Sequence, residues 1–167
     1  MADRRVPACA ILETGANVNT KYEHGNSALL EAAAWDRTEI VKYLVEARAG
    51  NFNSTNGEGV TELVNAAAGG HTNVALYLAK VCGADVNATD RDGDTALLKA
   101  AGLVHLAVVR YLVAECGDDV NAADDMGITA LMKTATKEHL DIVRYLTREG
   151  GANVDATDYY GSYEDSC

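Results

Sequence analysis

His71, His105 and His139 recur at one fixed interval of 34 residues, and imidazole is the commonest side-chain ligand of metals such as zinc. A zinc site gathers its ligands at about 2 Å from one ion. Residues at the same place in successive units are held apart by the body of a unit, so a structural role is expected for all three. Asp90-Arg91-Asp92-Gly93-Asp94 has the acidic flavour of a calcium loop. An EF-hand loop, however, sets its glycine sixth and adds a distal glutamate, whereas here glycine is fourth and a helical pattern follows at once. A turn with solvated charges is expected. The chain contains no G-x-x-x-x-G-K-[ST], H-E-x-x-H, G-x-S-x-G or C-x-x-C pattern, and sets no nucleophile beside a base. No catalytic residue, cofactor or metal is therefore expected. Cys82 and Cys116 are also one interval apart and read as free thiols, as do Cys9 and Cys167. Asn53-Ser54-Thr55 and Asn87-Ala88-Thr89 are sequons, and Asn53 and Asn87 would accept N-glycan if the chain were secreted.

The elements that must position these residues repeat with the same beat. Gly25, Gly59, Gly93, Gly127 and Gly161 fall 34 residues apart, the mark of a repeat architecture. Each unit opens with a short alanine-rich helix headed by a hydroxyl residue: Ser27 to Ala34, Thr61 to Ala68, Thr95 to Ala101 and Thr129 to Thr136. The hydroxyl can cap free backbone N–H groups, and the alanine pairs permit close helix packing. A longer second helix carries apolar residues at i, i+1, i+4 and i+5, as in Ile40, Val41, Leu44 and Val45 or Val108, Val109, Leu112 and Val113. That spacing forms one broad apolar stripe. Gly83, Gly117 and Gly151 suit left-handed C-terminal caps, and a buried Val or Phe is expected after them at Val18, Phe52, Val86, Val120 and Val154. Tyr43, Tyr77, Tyr111 and Tyr145 recur in the second helices and are expected to pack. A helix pair of this size cannot cover its own stripe, so each unit must lean on its neighbours.

These features together resemble the ankyrin repeat: G-x-T-x-L-x-x-A-A, the Gly70-His71 turn, V-V-x-x-L in Val108 to Leu112, and G-A-D-V-N-A at Gly83 to Ala88. The resemblance implies an all-α solenoid of stacked helix-turn-helix units joined by β-hairpin-like loops. In the family, the histidine of the Gly-His turn ties the two helices together. This chain departs from the family by one extra residue per unit. It also has Ala28, Glu62, Ala96 and Ala130 in place of the usual proline, and Leu30, Val64, Leu98 and Met132 in place of the usual histidine after it. The expected organisation is a partial unit over 1–21 holding a second helix and its exit, units over 22–55, 56–89, 90–123 and 124–157, and the opening of another over 158–167.

A formal charge of −11 repels phosphate backbones and anionic headgroups, which argues against nucleic acid and membrane surfaces as partners. No apolar stretch approaches the length of a membrane helix, and the start, MADRRVPACAILETG, does not read as a secretory signal, so an intracellular chain or a piece of a longer one is expected. The resemblance implies a non-catalytic binding module working through hairpin tips and the exposed side of the first helices. Carried over position by position, that face comprises Glu23, His24, Asn26, Ala34 and Trp35, then Gly57, Glu58, Val60, Ala68 and Gly69. It continues through Arg91, Asp92, Asp94, Gly102 and Leu103, then Asp125, Met126, Ile128, Thr136 and Lys137, and ends at Tyr159 and Tyr160. Trp35 is the expected anchor, and the expected partner is a protein with a basic or amphipathic surface. A second expectation is head-to-tail self-association into a filament, with Val6, Ile11 and Val18 at one end meeting Ile142, Leu146 and Val154 at the other.

Overall fold

The computed structural model describes residues 19–48 and 53–159, and within them helix pairs stack in chain order. The first layer is α1 (Ala28–Ala34) with α2 (Thr38–Arg48). The second is α3 (Glu62–Ala68) with α4 (Thr72–Leu76), the latter continuing as a π-helical turn over Tyr77–Val81. The third is α5 (Ala96–Gly102) with α6 (Leu106–Cys116), and the fourth is α7 (Ala130–Ala135) with α8 (Leu140–Arg148). Isolated antiparallel bridges, Lys21 with Ser27 and Ala123 with Thr129, mark the hairpins that lead into the first and fourth layers. The all-α class follows as the sequence implies. The partial unit before Asn19, and Phe52, Tyr160, Cys9 and Cys167, lie outside the described residues.

Each first helix starts where a hydroxyl replaces the missing intrahelical partner. Ser27, Thr61, Thr95 and Thr129 accept hydrogen bonds from the amides of Leu30, Val64, Leu98 and Met132. Such a cap contributes about 1 kcal/mol to each short helix. The alanine pairs Ala32–Ala33, Ala66–Ala67 and Ala100–Ala101 are buried, so the first helices approach closely. The second helices bury Val41 and Leu44, Val74 and Leu78, Val108 and Leu112, and Ile142 and Leu146 against the same core. Burying each such side chain is worth roughly 1.5–3 kcal/mol relative to leaving it in water. First helices pack on one another more closely than second helices do, so the first-helix side is the tighter, inner side of the stack.

Between the helices of each layer the chain turns through a left-handed residue: Asp36, Gly70, Val104 and Glu138, with φ of 54°, 71°, 71° and 58°. Glycine fits there without strain, whereas β-branched Val104 is held in a region its side chain disfavours by about 1–2 kcal/mol. After the second helices, Gly117 is left-handed and turns the chain into an extended exit loop. Val120 is buried and Val86 half-buried there, but Val154 is 66% exposed, against expectation, with no further helix pair after it among the described residues. The tyrosines also divide: Tyr111 and Tyr145 are buried, while Tyr43 stands half-exposed on the outer side. The buried pair reach back one layer, their hydroxyls donating to the carbonyls of Leu76 and Arg110.

Candidate protein-binding face

The hairpin tips form one row. In each, the backbone turns back on itself through amide-to-carbonyl bonds such as Asp90 to Asp94 and Asp124 to Ile128. An Asx side chain fixes the shape: Asp90 Oδ1 accepts from the amides of Asp92 and Asp94, and Asp124 Oδ1 from those of Met126 and Ile128. Asn56 does the same for Glu58 and Val60. Tip then bonds to tip, with the amides of Gly57, Arg91, Asp125 and Tyr159 donating to the carbonyls of His24, Glu58, Asp92 and Met126. This row explains the glycine beat. Gly93 has φ +77°, and a Cβ on it would come within 2.5 Å of the Asp125 amide nitrogen in the next tip.

Trp35 closes α1 and is 67% exposed, yet it is not loose. Its indole Nε1 donates to Glu31 Oε2 at 3.2 Å. The other oxygen of Glu31 accepts from Asn26 Nδ2 at 3.0 Å, and Asn26 Oδ1 accepts in turn from Asn56 Nδ2 at 3.0 Å. Burial first, then a hydrogen bond to Glu31 and its charge, holds the Tyr22 phenol above its usual pKa. The ring face of Trp35 is thus presented to solvent while its edge is fixed by a chain of polar contacts. Next along the same row come Gly69, Leu103, which is exposed, and Lys137.

The second half of the face is built differently. Lys99 Nζ lies 2.8 Å from both Asp90 Oδ2 and Asp94 Oδ2. Lys133 Nζ lies 2.7 Å from Asp94 Oδ1 and 2.9 Å from Asp124 Oδ2. Five alternating charges therefore run Asp90, Lys99, Asp94, Lys133, Asp124 across two layers. Burial by itself would lower the pKa of both lysines, but the hydrogen bonds they donate to the aspartates outweigh it and hold the ammonium groups above their usual range. Burial would likewise raise Asp124, and the bonds from Lys133 and the backbone amides of Ile128 and Met126 keep it below the usual carboxylate range. The expectation of solvated charges on this turn is corrected: Asp94 is buried in the ion chain, not offered to a partner.

Of the remaining expected face residues, His24, Glu58, Arg91, Asp92, Asp125, Met126, Lys137 and Tyr159 are exposed. Asn26, Val60 and Ile128 are only half-buried, Val60 because it packs on the core and Asn26 because it serves Glu31. Of Glu23 only the backbone is described, and Tyr160 lies outside the described residues. Asn53 and Asn87 are exposed, and Asn53 Oδ1 accepts from the Asp85 amide at 3.0 Å.

The histidines are structural in a way that corrects the expected contact. His71 and His105 do not tie the two helices of their own layer. Their Nε2 atoms lie 2.9 Å from the carbonyls of Ala34 and Ala68, at the end of the preceding layer's first helix. At the third junction Lys137 Nζ takes the equivalent carbonyl, that of Gly102. Among the described residues no cluster of three or more His, Cys, Asp or Glu could hold a metal ion, and Cys82 and Cys116 are free. No described helix is long and apolar enough to cross a membrane.

Reasoning from sequence missed the ion chain, although its signal was present: Lys99 and Lys133 stand at one position of successive units, each with a turn aspartate nine residues before it. It also missed Glu31 as the holder of Trp35. Comparison with curated proteins gives no match. The family model for ankyrin repeats, in three copies, matches residues 6–90 and 63–158. Stacked helix pairs, hairpin tips in a row and this match over most of the sequence agree: the chain belongs to the ankyrin repeat family.

Proposed function

We propose that the chain is a non-catalytic protein-binding module that docks a protein partner on its inner face, with Trp35 as the anchor. Ankyrin repeats generally mediate protein–protein interaction. The observation that carries the reading is the pinned and exposed indole of Trp35. Large aromatic anchors dominate the energetics of interfaces, and a side chain already fixed forgoes about 0.5–1.5 kcal/mol of ordering cost on binding. Leu103, Met126 and Tyr159 supply further exposed apolar surface along the row, and Glu58, Asp92 and Asp125 supply acidic tips. With the formal charge of −11, this favours a partner with a basic or amphipathic surface over nucleic acid or anionic membrane. An intracellular location is in keeping with the free thiols of Cys82 and Cys116.

The test is affinity capture from extract with the wild-type chain, Trp35→Ala, Met126→Ala, and Tyr43→Ala as a control on the outer side. Proteins retained by the wild type and the control should be lost at least tenfold with Trp35→Ala. Equal retention by all four rejects the inner face.

A second reading, end-to-end self-association, draws on Leu140 and Val154, both exposed on the last described layer. Its other expected contacts, Ile142 and Leu146, are fully buried inside their own layer and are not offered to a second copy. Uniform monomers by sedimentation at micromolar concentration would remove this reading.

A further inference from the structure

The exit loop of the third layer holds a carboxyl group where its neighbours hold a methyl. Asp118 follows the left-handed Gly117, and the equivalent residues after Gly83 and Gly151 are Ala84 and Ala152. Asp118 is 6% exposed, and neither side-chain oxygen makes a well-formed hydrogen bond among the described residues, the backbone amide of Asp119 being the one donor beside the carboxyl. The loop closes less tightly around it. The Asp118 amide reaches the Leu112 carbonyl at 3.3 Å, against 3.0 Å for Ala84 to Leu78 and 2.9 Å for Ala152 to Leu146. A buried ionised carboxylate without a partner is strongly disfavoured, whereas the neutral acid is tolerated.

The surrounding charges add to this. On its own loop stands Asp119, and on the preceding exit loop Asp85. The following exit loop carries Asp155, and the flanking second helices carry the Lys80–Glu115 and Arg110–Glu149 pairs, each cation already committed to its own partner. Two links depend on the loop staying seated: buried Val120, and Asn121 Oδ1, which accepts the Asn153 amide of the next exit loop at 2.7 Å. Gly117, left-handed at φ +68°, stands in open space at the start of the loop, where a Cβ would meet nothing within 4 Å.

We propose that Asp118 is a proton-controlled latch: protonated, it lets the third exit loop seat against the fourth, and ionised, it swings the loop out about Gly117 and releases the Asn121–Asn153 link. Burial first, then the charge of Asp119, pushes its pKa up to about 7, against the lowering pull of the Asp119 backbone amide and with Asp85 adding to the rise. Because the seated form has the raised pKa, its stabilisation is complete below the ordinary aspartate pKa of about 4 and is lost as pH rises towards 7.

The test is amide hydrogen exchange, corrected for intrinsic rates, in wild type, Asp118→Asn and Asp118→Ala, with the Asp118 carboxyl followed by NMR in the wild type. Alanine occupies both equivalent positions, so Asp118→Ala is expected to fold. Protection of the residue-118 and Asn153 amides should fall about tenfold per pH unit between roughly 4 and 7 in the wild type, the slope of one linked proton, and level off above. Both variants should be flat over that range. An Asp118 carboxyl titrating near 4 in the folded chain, or a wild-type slope that survives in both variants, overturns the proposal.

Discussion

Along the inner edge, the first two layers are joined by hydrogen bonds among Asn26, Asn56 and Glu31, and the last two by the alternating charges from Asp90 to Asp124. The backbone plan is the same in both halves, and the positions correspond: Glu31, Asn65, Lys99 and Lys133 occupy one register, as do Asn26, Val60, Asp94 and Ile128. The contrast teaches that a position freed from packing can be spent either on a surface or on a cross-layer link. In the first half Glu31 turns to Trp35 and fixes a solvent-facing ring. In the second half Lys99 and Lys133 turn to buried aspartates, and the same positions become charge-paired framework. The proposed anchor, Trp35, therefore sits in the half where this register turns to a solvent-facing ring rather than to buried aspartates.

The largest effect should come from breaking the second half. Lys133→Leu leaves Asp94 and Asp124 facing one another without their shared cation. Removing one partner of a buried pair typically costs about 3–5 kcal/mol, and since the Lys133 side chain is 21% exposed, a loss of about 2–3 kcal/mol is expected in urea unfolding. Asn65→Leu, the matching change in the first half, should cost under about 1 kcal/mol.

Next in size is Asp118→Ala, which sharpens the contrast by removing a liability peculiar to the second half. It should raise stability by about 2 kcal/mol at pH 8 and by almost nothing near pH 4, read from thermal unfolding at both pH values. Asp124 runs in the opposite sense: its lowered pKa gives stability that is present above about pH 4 and lost on further acidification.

Smaller effects should follow at the junctions. His105→Ala should cost about 1 kcal/mol by leaving the Ala68 carbonyl without its partner. His139→Ala should cost less, because Lys137 holds the equivalent Gly102 carbonyl. The smallest change is Val104→Asn, which relieves the left-handed strain and should gain about 0.5 kcal/mol after the loss of some apolar contact. The melting temperature would report both.

What could be read from sequence was whatever packing dictates with a fixed period. The Ser and Thr caps, the alanine pairs and the stripe of Val41, Leu44 and Val45 all sit where their spacing put them, since a helix period leaves little freedom once one face must be buried. The glycine beat was legible as a turn, but its second reason, the approach of the Asp125 amide to Gly93, needed the neighbouring layer in place. Polar partnerships were not legible for the same reason. His71 looked like a link within its own layer, and only the stack shows Ala34 of the layer before it at the end of its ring. Asp94 looked like a solvated loop acid because nothing in its own unit announces Lys133. Val154 looked like its buried counterparts because the expectation assumed a covering layer.

Hydroxyl-radical footprinting of the chain with the partner recovered by affinity capture tests the central claim most directly. The account predicts strong protection of Trp35 and Met126 on the inner face in the complex, with Tyr43 on the outer side labelled as in the free chain. Protection of Tyr43 with Trp35 left fully reactive would contradict it.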